Sequence, residues 1–132
     1  MFSSLLATAA IMLVLDTVWL SANAAYHRKV FAALQGAPLQ VRWIPAVAVY
    51  AIMIAAVWYL AVLPATSVGD AAGRGAVLGA AMYGVYDLTN YATLSKYPLS
   101  YALSDLAWGI LLCTATATIA FYAAEPKSNG LL

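Results

Sequence analysis

Apolar residues run almost unbroken from about Ser4 to Tyr26, and the run stops at the polar cluster His27, Arg28 and Lys29. Three more such runs follow, over about 43–63, 70–94 and 99–123. Each supplies roughly the 20 apolar residues that a helix needs to cross a bilayer core. Between the first two runs, Gln35, Gly36, Ala37, Pro38 and Gln40 carry the punctuation of a loop, and Val30 to Leu34 are suited to a short interfacial helix. Pro45 fits the first turn of the second helix, where a missing N–H is tolerated, and Pro64 closes it. Thr66 to Gly69 then form a turn, as do Ser95 to Ser100, which contain Lys96 and Pro98. Connections this short make neighbouring helices antiparallel. The pattern predicts an all-α, polytopic membrane protein: one domain, an antiparallel bundle of four transmembrane helices, with a polar tail over 124–132.

Composition agrees, since the 132 residues are 65% hydrophobic and 8% charged, where a soluble domain carries about 25% charged residues. Lipid is the partner this implies, and six Lys and Arg against five Asp and Glu exclude nucleic acid as a main target. The lone Cys113 has no partner for a disulfide or a metal-type spacing, so it reads as a packing residue. The N-terminal run has no basic leader and contains Asp16 and Trp19, so it reads as a retained helix and not as a signal peptide. Arg28, Lys29, Arg42 and Lys96 fall at one surface and Arg74 and Lys127 at the other. The positive-inside rule then places the first and third connections in the cytoplasm and both termini outside. Tyr26, Trp43, Tyr97 and Tyr101 near one surface, and Trp58, Tyr59 and Tyr122 near the other, suit aromatic belts. Gly69, Gly73, Gly75 and Gly79 contain two G-x-x-x-G spacings, which predict close packing of the third helix. The expected neighbour is another helix of the same chain, with a homodimer through these glycines as the alternative.

The candidate chemistry lies in three aspartates placed inside apolar runs. One at mid-membrane costs about 2.5–3.5 kcal/mol on insertion scales, so all three should face inward. Helical spacing puts Asp16 on a face with Thr8, Met12, Trp19 and Asn23. Asp87 shares one with Ala76, Ala80, Tyr83, Gly84, Asn90 and Tyr91, and Asp105 with Tyr101, Trp108, Gly109 and Thr116. The second helix brings no ionisable group to its middle. Counted from the cytoplasmic ends, the three lie about 16, 12 and 10 Å deep at 1.5 Å per residue. A shared interior among the first, third and fourth helices is therefore expected. Carboxylates gathered in a low dielectric cannot all ionise, which calls for a shared proton or a bound cation.

Asp16-x-x-Trp19 and Asp105-x-x-Trp108 repeat one pattern on antiparallel helices, which predicts tryptophans on opposite sides of the aspartates, each with an indole N–H available to a carboxylate or a ligand. Asp16, Trp19, Asn23, Tyr83, Asp87, Asn90, Asp105 and Trp108 are the candidate binding residues. The plainer alternative is that these polar groups only bond across helices and fix which faces meet. His27, beside Arg28 and Lys29, reads as a solvated interfacial residue and not as a metal or haem ligand. No metal site or cofactor is expected, and no H-E-x-x-H, G-x-S-x-G or P-loop pattern is present.

The run YGVYDLTNYATLSKYPL followed by SDLAWG, with DTVWL in the first helix and WYLAVLPA at the end of the second, resembles the DUF2177 family of integral membrane proteins. The resemblance covers most of the chain. It implies a small bacterial-type inner-membrane protein and assigns no activity. Asp16, Trp19, Asp87, Thr89, Asn90, Pro98, Asp105 and Trp108 are the family-like positions. Three functions are compatible: binding or conduction of a proton, cation or small polar ligand; a membrane enzyme acting on a lipid or isoprenoid; and a structural or assembly subunit.

Overall fold

A computed structural model describes residues 2–124. Among them every regular element is helical: α1 (Phe2–Ala22), α2 (Ala24–Gln35), α3 (Trp43–Ala56) running into a π-helical stretch (Val57–Val62), α4 (Val68–Thr93) and α5 (Leu99–Ala124). α1, α3 with its π stretch, and α5 are each long and apolar enough to cross a membrane. α4 is as long as α5 and packs along it, and its glycines and charged residues lower its apolarity. The fold is a helical membrane bundle of four long helices, as the sequence predicts. The polar tail beyond Ala124 and its Lys127 lie outside the described residues.

The main interface, α4 against α5, rests on missing side chains. A Cβ on Gly75 would fall 2.6 Å from the carbonyl oxygen of Cys113, and one on Gly79 would fall 2.4 Å from that of Gly109. In return, a Cβ on Gly109 would collide with the ring of Tyr83 at 2.0 Å. Gly75 and Gly79 thus meet α5 of the same chain, while Gly73 has nothing within 4 Å of such an atom. Ser67 caps α4, its hydroxyl accepting from the Asp70 N–H at 3.1 Å, and Asp70 in turn accepts from Arg74 Nε at 2.8 Å.

α3 itself buries no residue, whereas Val57, Ala61 and Val62 of the π stretch are all buried. The wider turn, with Leu63 N–H bonded to the Trp58 carbonyl five residues back, changes which side chains face inward. Trp58 Nε1 then reaches Ser4 Oγ on α1 at 3.0 Å. These residues join Met12, Leu112, Cys113, Ala117 and Ala120 in one apolar core. At that end all four long helices are tied together. Toward the other end the α3 backbone comes within 8 Å of α1 but not of α4 or α5, so the bundle opens there as a wedge.

The first helix is shorter than expected. It ends at Ala22, with a turn at Asn23, and α2 starts at Ala24 instead of Val30. Its Val30, Phe31 and Leu34 pack on Tyr97, Tyr101 and Ala102, leaving Arg28 and Lys29 exposed. Asn23 still donates its N–H to the Trp19 carbonyl and accepts from the His27 N–H, so the i→i−4 bonding carries on across the break between α1 and α2. Gly36, at φ +69°, ends α2 in the left-handed region and donates its N–H to the Ala32 carbonyl.

Candidate functional site

The wedge contains a cavity of about 380 Å³. α1 contributes Asp16, Trp19 and Leu20 to its wall, α3 contributes Pro45, Ala46, Val49, Tyr50 and Met53, α4 contributes Tyr83 and Tyr86, α5 contributes Tyr101 and Asp105, and α2 contributes His27. Two carboxylates and five aromatic residues face one space, and no Lys or Arg lines it.

The two carboxylates differ in how they are satisfied. Asp16 is 6% exposed, with Oδ1 accepting from Trp108 Nε1 at 2.9 Å and Oδ2 accepting from the Tyr50 hydroxyl. It therefore ties α1 to α5 and to α3 at one point. Asp105 has no hydrogen-bonded partner among the described residues and reaches the cavity with both oxygens uncommitted. Trp19 stacks on Trp108, with centroids 4.7 Å apart and planes at 7°. The tryptophans therefore meet face to face, and not on opposite sides as the repeated motif predicts. Trp108 runs one turn away from Asp105, and Trp19 one turn past Asp16, so on antiparallel helices the two rings arrive at one level between the carboxylates. Trp108 serves the other motif's aspartate, while the buried Trp19 Nε1 has no partner.

Asp87 is fully buried but takes no part in the cavity wall. Its Oδ1 accepts from the Tyr97 hydroxyl at 2.8 Å, which pins the turn between α4 and α5, and its Oδ2 is unpartnered. The structure thus brings Asp16 and Asp105 to one space and leaves Asp87 bonded to Tyr97 in the turn between α4 and α5. Tyr83 lines the cavity and Trp108 borders it through Asp16. Asn23 donates Nδ2 to the Trp19 carbonyl at 3.0 Å, closing the last turn of α1, and lines a narrow crevice with Trp19 and Asp105. Asn90 is half-buried and lines neither space.

Sequence reasoning missed His27 and Tyr50 and gave Tyr101 only a place on the Asp105 face and in an aromatic belt. His27 is not solvated: it is 9% exposed, with Nδ1 2.7 Å from the Tyr101 hydroxyl and Nε2 unpartnered beside the cavity. Burial lowers its pKa, a shift only partly opposed by the nearby Asp16. An offset of eleven from Asp16 continues the series through Trp19 and Asn23, a signal masked by the adjacent Arg28 and Lys29. Tyr101 is the hub of an aromatic cluster with Tyr26, His27, Phe31 and Tyr97. Tyr50 brings a hydrogen-bonding group from the second helix, of which only the lack of an ionisable group in its middle was noted, since a phenol is apolar over most of its surface and polar only at its tip.

No curated protein and no solved structure matches the chain at a significant level. Residues 1–122 match the family model of DUF2177, described as a predicted membrane protein. With the match covering almost every residue, from Asp16-x-x-Trp19 in α1 through Asp105-x-x-Trp108 in α5, this membrane-embedded helical bundle belongs to the DUF2177 family.

Proposed function

We propose that the protein binds a small organic cation inside the membrane, in the cavity between α1, α3 and α5, with Asp105 as the counter-charge. The observation that carries this reading is the unsatisfied Asp105 carboxyl facing an aromatic-lined space without Lys or Arg. A carboxylate left without donors in an apolar setting is costly, and a cation that fills the space removes that cost. Aromatic faces add attraction for an ammonium group, most strongly where water is excluded.

A bare proton or metal ion would leave the unpartnered Trp19 Nε1 donor unserved. Trp19 Nε1 is a donor only, and a ligand that also presents an acceptor, such as a hydroxyl, would serve it. This favours an organic ligand over conduction of a simple ion. The structural reading applies to Asp16, whose two oxygens are both committed to bonds between helices. It does not account for Asp105.

Titration of the purified protein in nanodiscs with tetramethylammonium, followed by tryptophan fluorescence, tests the proposal. The stacked Trp19 and Trp108 lie beside the cavity and report occupancy. Saturable quenching is expected, weakened about ten-fold or more by Asp105→Asn. Equal titrations for the two proteins, or no saturable change, would remove Asp105 as the counter-charge.

A further inference from the structure

A second hollow, of about 300 Å³, adjoins the cavity and shares Val49, Met53, Tyr83, Tyr86 and Asp105 with it. Apart from Asp105 and the two phenols its wall is apolar, and Met82 completes it. It runs through the wedge where the backbones of α3 and α4 stand more than 8 Å apart. Val49 and Tyr86, 52% and 50% exposed, form its outer rim on a surface that faces lipid. At the aqueous end of the same wedge, α2 lies over Tyr101 with His27, Val30 and Phe31 turned inward. The π stretch closes the opposite end.

We infer that the bound cation is an amphiphile carried in the bilayer, which enters sideways between α3 and α4 and seats its ammonium group at Asp105 with its tail along Val49, Met53 and Met82. This rests on the cation-site reading above and adds to it the class of ligand. A water-borne ion makes no use of an apolar passage open to lipid, whereas a long-chain amine matches both halves. Met53 and Met82 are unbranched and adapt to a chain of variable shape. Asp16 and Asp105 face the site with no Lys or Arg beside them, so phosphate-bearing headgroups are repelled and a cation without its own anion is selected.

The test uses the full chain in nanodiscs with two probes, tetramethylammonium and dodecyltrimethylammonium, and with a long-chain amine carrying a diazirine in its tail. Labelling is expected on the peptides containing Met53 and Met82, to compete with dodecyltrimethylammonium, and to fall with Asp105→Asn. Met82→Trp, which fills the passage, is expected to weaken dodecyltrimethylammonium at least ten-fold more than tetramethylammonium. Should that substitution disturb folding, the label map on the unmodified chain decides alone. Tetramethylammonium binding that depends on Asp105, with label spread over other lipid-facing surfaces or equal effects of Met82→Trp on both probes, overturns lateral entry and leaves the cation site standing. Absence of Asp105-dependent binding for either probe overturns both.

Discussion

Asp16 and Asp105 offer the same group to the same cavity, and their partners divide their roles. Asp16→Ala orphans the half-buried Trp108 and Tyr50 donors, a loss of up to about 1–3 kcal/mol each. Its melting temperature in detergent should therefore drop well below that of Asp105→Asn, which removes a charge that nothing in the chain compensates. Equal melting temperatures for the two variants would contradict the division. His27 adds a dependence on pH. Because burial holds its folded pKa below the ordinary value of 6.5, the unfolded chain binds the proton more readily. The stabilising contribution is then complete above about pH 6.5 and is lost as pH falls from there through the lowered folded value. Thermal melts of wild type and His27→Gln across pH 5 to 7.5 should show a steeper acid-side loss in the wild type; parallel curves would show that His27 does not report burial.

The helix pair α4 and α5 depends on backbone proximity, and substitutions along one glycine pattern should separate by face. Gly79→Ala places a methyl group 2.4 Å from the Gly109 carbonyl oxygen, an overpacking expected to cost about 1–3 kcal/mol. Gly73→Ala meets nothing, so its better helix propensity should leave stability unchanged or raise it by up to about 1 kcal/mol. Denaturant unfolding of the two variants measures the contrast, and a loss at Gly73 comparable to that at Gly79 would place the close contact elsewhere. The spacing of these glycines foretold a tight interface, and Gly75 and Gly79 meet α5 of the same chain. Which members of the pattern would face the partner was not legible, because G-x-x-x-G gives a spacing and no direction. The π stretch was not legible either: Val57 to Val62 has the same apolar character as an ordinary helix, and its wider turn depends on what Val57, Ala61 and Trp58 pack against.

For the whole molecule, Arg28, Lys29, Arg42 and Lys96 at one surface against Arg74 and Lys127 at the other lead us to propose that the α2 end faces the cytoplasm. Cys113 is fully buried, so a cysteine introduced at position 74 should react with an impermeant maleimide on intact cells. One at position 28 should react only after the membrane is opened. The reverse pattern would invert the bundle. In the proposed orientation the wedge would lie in the cytoplasmic half, under α2, with its side toward the inner leaflet.

The alternation of long apolar runs with Pro, Gly and charged breaks was enough to establish a bundle of antiparallel helices in lipid, since the hydrocarbon core demands that length and that apolarity of any segment crossing it. It was also enough to show that Asp16, Asp87 and Asp105 face inward, because a carboxyl facing lipid is too costly. Periodicity ranks positions around one helix and says nothing of how far two helices stand apart. The gap between α3 and α4, the stacking of Trp19 on Trp108, the burial of His27 and the exclusion of Asp87 from the cavity all depend on that separation. It follows from the close glycine contact of α4 with α5 and from the π stretch, which together draw the bundle tight at one end and leave it open beside Asp105.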